Sequence, residues 1–246
     1  MFETFLIQPI YNVFIYLIGI MPGGSVGLAI IVLTLLIRAL FYPAFTASIR
    51  TQMGMQAVQG ELDEINKLHK DNSEERAKQT MALYTKHKVR PFSGFLALLV
   101  QIPVFIALYF AFFREGLPKI ATHLLYSFVP APGVVQVDFF GLMNLLSPHN
   151  ILLAGIVAGL QYGVAYLSLG RMTRSASPVQ PEKQAAQKIQ QQMMLYFLPG
   201  LMGVVSYSLP AAVGLYFATT NLDSLGQEWI IRRQNNPKNK LSIEYK

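Results

Sequence analysis

The residues from Ser25 to Phe45, SVGLAIIVLTLLIRALFYPAF, form one apolar run with Arg38 inside it. At about 1.5 Å of rise per residue, a helix of about 20 residues crosses the roughly 30 Å hydrocarbon core of a bilayer. A cation at the centre of a lone membrane helix costs about 2.5–3.5 kcal/mol on insertion scales and about 10–17 in simulations. Snorkelling to the headgroups is one account of such a residue. However, Ala39 to Phe45 continue the apolar run, so the guanidinium starts about two helical turns from the next polar stretch. The preferred account is a functional cationic site facing a wet cavity. Thr34, one turn earlier, shares the Arg38 face.

The rest of the chain fits this setting. Of its 246 residues 52% are hydrophobic and only 13% charged, and apolar spans alternate with polar segments, which describes a polytopic membrane protein. With no cysteine, disulfides and thiolate chemistry are excluded.

Residues 1–24 carry one charge, Glu3, and their apolar part is short for a span. Phe2, Phe5, Leu6, Pro9 and Tyr11 suit an amphipathic segment lying in the interface on the outer side. A secretory signal is the rival, but its basic n-region is missing. The first span is 25–45. Residues 46–91 read as a helical hairpin: Val58, Leu62, Ile65 and Leu68 recur at helical spacing, as do Ala77, Met81 and Tyr84, with a turn at Lys70–Ser73. Asn72 with Glu75 is a loose capping box. The hairpin is either an exposed coil held by its own seam or a docking arm.

The second span, 92–113, contains Gln101 and Pro103, and an irregular outer loop follows over 114–150, with a short surface helix expected near Phe139 to Leu145. The third span, 151–169, carries Gln161. A polar loop at 170–192 precedes two further spans, 193–208 and 209–228, and the last of these holds Thr219, Thr220, Asn221 and Asp223. A basic tail, 229–246, ends the chain. The expected fold is therefore all-α, with five transmembrane helices, a cytoplasmic helical hairpin and an N-terminal interfacial amphipathic helix. Nearly every basic residue lies in the hairpin, the 170–192 loop or the tail, so the positive-inside rule puts these in the cytoplasm and the N-terminus outside.

Gln101 and Gln161 fall near mid-membrane, Arg38 in the inner half, and Thr219, Thr220 and Asn221 between them. Singly, each amide suits ordinary interhelical hydrogen bonding, worth about 0.6 kcal/mol on average. Their shared depth with Arg38 suggests a hydrated recess open to the cytoplasm. Counted inward from the outer ends, Asp223 lies about 18 Å and Arg38 about 20 Å down their spans. Because Gly226, Gln227 and Glu228 follow within a turn, Asp223 is expected to face the cytoplasmic interface rather than Arg38.

No catalytic constellation is visible. His69, His87, His123 and His149 lack metal-ligand spacing or an adjacent nucleophile, and neither a Walker A nor a dinucleotide motif occurs. No cofactor is expected.

The block IIVLTLLIRALFYPAF, a charged hairpin ending KHKVRPFSGFLALLVQIPVFIALYFAFF, and LPAAVGLYFATTNLDSLGQEWI resemble, in this order, the YidC/Oxa/Alb family of membrane protein insertases. The resemblance covers roughly Pro22 to Arg233. It implies a five-helix core with a hydrophilic groove sealed on the outside, a cytoplasmic hairpin, and a monomer as working unit. Arg38 matches the family's groove arginine and Gln101 the glutamine of its second span. Phe217 stands where many bacterial relatives have tryptophan, the region of Gln161 matches weakly, and Asp223 departs from the pattern.

A nascent segment with a polar or acidic outer tail would then find water and a cation partway across, while its apolar part leaves between the spans into lipid without ATP. The expected groove comprises Arg38, Thr34, Gln101, Gln161, Thr220 and Asn221, in a bacterial plasma membrane. The expected partners are nascent membrane proteins, lipids, the ribosome and the Sec translocon, with no specific DNA binding. Arg232, Arg233, Lys238 and Lys240 suit either phosphate contacts on ribosomal RNA or an orientation anchor. A small channel or ion-coupled transporter is the rival function; it predicts inverted repeats, which the sequence does not show. A scaffold whose hairpin recruits soluble partners predicts that Arg38 is dispensable.

Overall fold

The computed structural model describes residues 5, 7–90, 93–110, 112, 116–169, 189 and 191–234. Expectations for Phe2, Leu6, Lys238, Lys240 and most of the 170–192 loop lie outside these residues. The chain is mostly helical and divides into two compact units, one of Met1–Phe41, Leu98–Gln161 and Leu198–Ser224, the other of Tyr42–Ala97, Tyr162–Phe197 and Leu225–Lys246.

The first unit is built around α1 (Gln8–Ile20), α2 (Val26–Leu40), α6 (Ser93–Tyr109) from Leu98 on, most of α7 (Ile151–Leu169), α8 (Leu198–Ser208) and the start of α9 (Ala211–Gln234). Its core joins Tyr11, Phe14, Ile15 and Ile18 of α1 to Ala29, Ile30 and Leu33 of α2, with Val104, Leu153, Val157 and Tyr216 from the later helices. Helix α1 is therefore packed into protein along one face, while Val13, Tyr16 and Ile20 on its other face are exposed and apolar.

Asn12, inside this apolar helix, is 2% exposed. Its amide donates to the Gln8 and Leu124 carbonyls, both at 2.8 Å, and accepts from the Tyr126 amide at 2.7 Å. The Tyr11 hydroxyl accepts from the Ala121 amide at 3.0 Å. Together they fasten the 116–150 loop across α1. The loop also reaches the start of α2: the Val26 amide donates to the Gln136 carbonyl at 3.0 Å and the Gln136 amide to the Gly24 carbonyl at 2.9 Å. Gly24 has φ 68°, and a Cβ there would stand 2.1 Å from the Val134 carbonyl oxygen, so only glycine fits. Ser25 caps α2 by accepting from the Leu28 amide at 3.4 Å.

The surface helix expected near Phe139 to Leu145 does not form. Two short antiparallel strands, β1 (Asp138–Phe139) and β2 (Met143–Asn144), stand there instead. The backbone turns left-handed at Phe140 and Gly141, with φ 52° and 68°, and the Phe139 ring lies where a Cβ on Gly27 would be.

In the second unit, α3 (Tyr42–Ala57) leads into α4 (Gln59–Leu68), which packs on α5 (Ser73–Lys86). Asn72 caps α5 by accepting from the Glu75 amide at 3.0 Å. Of the residues in the expected seam Val58 is buried, whereas Leu68 and Met81 are 77% and 54% exposed; Leu83, outside the expected seam, is also buried. Gln227, from the end of α9, donates to the Tyr42 carbonyl at 3.3 Å and the Thr46 hydroxyl at 2.9 Å.

The run 25–45 is not one helix. Helix α2 stops at Leu40 and α3 begins at Tyr42, ahead of Pro43, whose missing amide hydrogen is tolerated in a first turn. By length and composition, Ile151–Leu169 alone is long and apolar enough to cross a membrane among the described residues. The segments Val26–Leu40 and Tyr42–Met55 pass the same measure only together, and Gln8–Ile20, Leu99–Tyr109 and Met193–Ser208 are apolar but shorter.

Candidate functional site

Arg38 is buried on α2 near its C-terminal end, where the helix's exposed carbonyls favour a cation. Its Nη1 lies 3.5 Å from Asp223 Oδ2, and its Nη2 donates to the Thr220 carbonyl at 3.3 Å. Both partners lie on α9, three residues apart and so on one face of that helix. The Asp223 side chain is 27% exposed against 10% for Arg38, so the pair is reached from the aspartate side.

This overturns the expectation that Asp223 faces the cytoplasmic interface. That expectation took the following polar residues as a sign of solvent. Instead Gln227 and Glu228 are 5% and 3% exposed, and α9 continues unbroken to Gln234.

The other predicted residues are brought together unequally. Gln101 donates from Nε2 to the hydroxyl of Tyr216, which is itself 2% exposed. Asn221 is buried next to Thr220, and its Nδ2 has no hydrogen-bond partner among the described residues. The Thr34 hydroxyl donates back to the Ile30 carbonyl at 2.7 Å, within its own helix. Gln161 is half-buried on α7, and no bond among the described residues joins it to Arg38. The structure thus joins Arg38 to Asp223 and Thr220, and Gln101 to Tyr216, which shares α9 with Thr220, Asn221 and Asp223.

Tyr216 escaped the sequence reading. The available signal was its place in LYFATTNLD, four residues before Thr220 and seven before Asp223, on the stripe that carries both. Phe217, next to it, stacks on Phe105 with ring centroids 6.2 Å apart. A separate apolar cleft of about 520 Å³ is lined by α1, α2 and α6, among others by Pro9, Val13, Leu33, Leu36, Val100 and Pro103.

Histidines do not gather near these residues. His87 Nε2 lies 3.0 Å from Glu61 Oε1, and the His149 ring stands edge-on to Tyr207 at 5.0 Å. Among the described residues no three His, Cys, Asp or Glu side chains converge to hold a metal. Of the predicted basic tail residues, Arg233 lies over the Trp229 ring, 5.6 Å from its centroid.

A family model described as 60Kd inner membrane protein matches residues 18–239. The chain belongs to this family. Among its relatives is a membrane protein insertase YidC of Oceanobacillus iheyensis, 33% identical over 237 residues, covering 94% of this chain and 83% of the relative. The membrane protein insertase YidC 2 of Listeria monocytogenes is 34% identical over 242 residues, covering 94% of this chain and 77% of the relative. The YidC insertase of Francisella tularensis subsp. novicida is 30% identical over 212 residues, and there the match covers 85% of this chain but 33% of the longer relative. The 60Kd inner membrane protein family members named here are bacterial membrane proteins, and their names describe insertion rather than a catalysed covalent reaction.

Proposed function

We propose that this chain is a membrane protein insertase that receives nascent hydrophobic segments at a hydrophilic groove containing Arg38 and releases them sideways into the bilayer. The observation that carries this reading is the Arg38–Asp223 pair: a cation buried in an apolar helix, held at 3.5 Å by a carboxylate more exposed than itself. Leaving Arg38 without a counter-charge would be costly, and a partly exposed aspartate is one that an incoming acidic group can replace. The orphan amide of Asn221 supports a wet recess, since a buried donor without a partner calls for water or a ligand.

In this reading the protein has five spans with the N-terminus outside and the hairpin and tail in the cytoplasm, as its basic loops require. The 116–150 loop, fastened across α1 and the start of α2, closes the outer end. An acidic outer tail of a client meets Arg38 and water instead of hydrocarbon, which lowers its desolvation cost. The client's apolar segment gains roughly 25 cal/mol for each Å² it removes from water as it passes into lipid, so no nucleotide is consumed. The apolar cleft beside α2 offers that segment a matching surface. The ribosome, through Arg232, Arg233, Lys238 and Lys240, and the Sec translocon are the partners this reading adds.

Reconstitution into liposomes with a short single-span client, scored by protection of its outer tail from protease, tests the proposal. Wild-type protein should insert clients with acidic tails, and Arg38→Ala should lose most of that insertion while still extracting as a folded protein. Equal insertion by Arg38→Ala would exclude the cationic groove.

A further inference from the structure

We propose that a cavity at the base of the α4–α5 pair binds the phosphate of an anionic phospholipid. This cavity, of about 580 Å³, is lined by Arg50, Lys88 and Arg90 together with Tyr42, Thr46 and Thr51, and no carboxylate is among its lining residues. Three permanent cations and a row of hydroxyls around one space make a site for an oxyanion.

Two features show that it is built rather than incidental. The first is the end of α5. The Val89 amide donates to the Tyr84 carbonyl at 2.8 Å and the Lys88 amide to the Thr85 carbonyl at 3.1 Å, a Schellman cap in which the left-handed position belongs ordinarily to glycine. Lys88 occupies it at φ 54°, accepting a strain that glycine would avoid and gaining only its side chain. Val89, 7% exposed, then anchors the loop, since a Cβ on Gly54 would meet its Cγ2 at 2.7 Å, and Thr51 donates to the Arg90 carbonyl at 3.1 Å. Cations thus flank a buried anchor on both sides.

The second feature is Thr46. Its oxygen accepts from Gln227 Nε2 at 2.9 Å, which leaves its own proton to donate to an anion.

A lipid rather than a soluble anion is favoured by the rest of the lining. Besides its cations the cavity is lined by Tyr42, Pro43, Ala47 and Val89, so apolar groups stand next to the cationic ones, as the first methylenes beside a lipid headgroup require. The inference rests on the membrane reading above, which puts Tyr42 at the headgroup level.

Native mass spectrometry of the full chain in mixed phosphatidylglycerol–phosphatidylcholine nanodiscs tests it. Wild type should retain phosphatidylglycerol at least tenfold over phosphatidylcholine, with millimolar inorganic phosphate failing to displace it. Arg50→Gln/Arg90→Gln should lose the preference. Lys88→Gly provides a variant that cannot fail through folding: it should raise the melting temperature and still weaken lipid retention. Unchanged retention in both variants, or no preference in wild type, overturns the proposal, and displacement by inorganic phosphate overturns the lipid assignment. Client insertion is read separately in vesicles of the same mixed composition; its failure with lipid preference intact would count against the insertase reading alone.

Discussion

Arg38 and Asp223, from opposite ends of the chain, face each other at 3.5 Å, and the carboxylate is the more exposed of the two. The guanidinium is further held by the Thr220 carbonyl at 3.3 Å. An arginine alone in an apolar helix would be a liability. Paired in this way it is a buried cation whose counter-ion is supplied by the protein itself.

Asp223→Asn should therefore destabilise the protein by about 1–3 kcal/mol, between the roughly 0–1 of an exposed pair and the roughly 3–5 of a fully buried one. The double variant Arg38→Leu/Asp223→Asn should recover much of that loss. Acidic-tailed clients should insert into Asp223→Asn at least as well as into wild type, since they no longer compete for Arg38. Thermal unfolding in detergent and the liposome assay read the two effects, and additive losses in the double variant would show that the charges are not coupled.

Arg38→Lys should retain part of the insertion of acidic-tailed clients. The charge survives, but an ammonium cannot hold Asp223 and the Thr220 carbonyl through a planar fork. Activity as low as that of Arg38→Ala would mean that geometry rather than charge governs the site.

Asn12→Ala removes one donated and one accepted hydrogen bond that join α1 to the 116–150 loop. It leaves the Leu124 carbonyl and the Tyr126 amide unpaired, at about 1–3 kcal/mol for each buried group. We expect a total loss of about 2–4 kcal/mol and faster proteolysis within the loop. Cleavage at the wild-type rate would show that the Tyr11 and Gln136 hydrogen bonds hold the loop without Asn12.

Glu61, on α4, illustrates a pH effect. Partial desolvation pushes its carboxyl upward, but hydrogen bonds from His87 and Lys86 outweigh this and hold it below the usual carboxylate range. A folded-state value below the unfolded one gives stability that is present above the unfolded value and lost as pH falls through the folded one. Wild type should thus melt above Glu61→Gln at pH 6, and the two should converge as pH drops below about 4, under the ordinary glutamate value of about 4.3. A gap that persists at pH 3 would assign the effect to packing.

Much of this protein can be read from residue order alone. The apolar run with Arg38, the Asn72 cap and the turn before α5 depend on neighbours within a few positions, and local chemistry decides them. The resemblance carried by three ordered blocks leads to the family that the comparison with its model confirms.

What the sequence left undecided are relations between residues far apart in it. Polar residues after Asp223 suggested solvent, yet Gln227 is turned to Tyr42 and Thr46 and Asp223 to Arg38, because a helix's surroundings depend on which face its neighbours cover. The amide of Asn12, inside an apolar helix, finds its partners on loop backbone groups more than a hundred residues away in sequence. Position along a helix follows from counting residues; rotation about the helix axis follows only from packing, and it is rotation that pairs Arg38 with Asp223 and Gln101 with Tyr216.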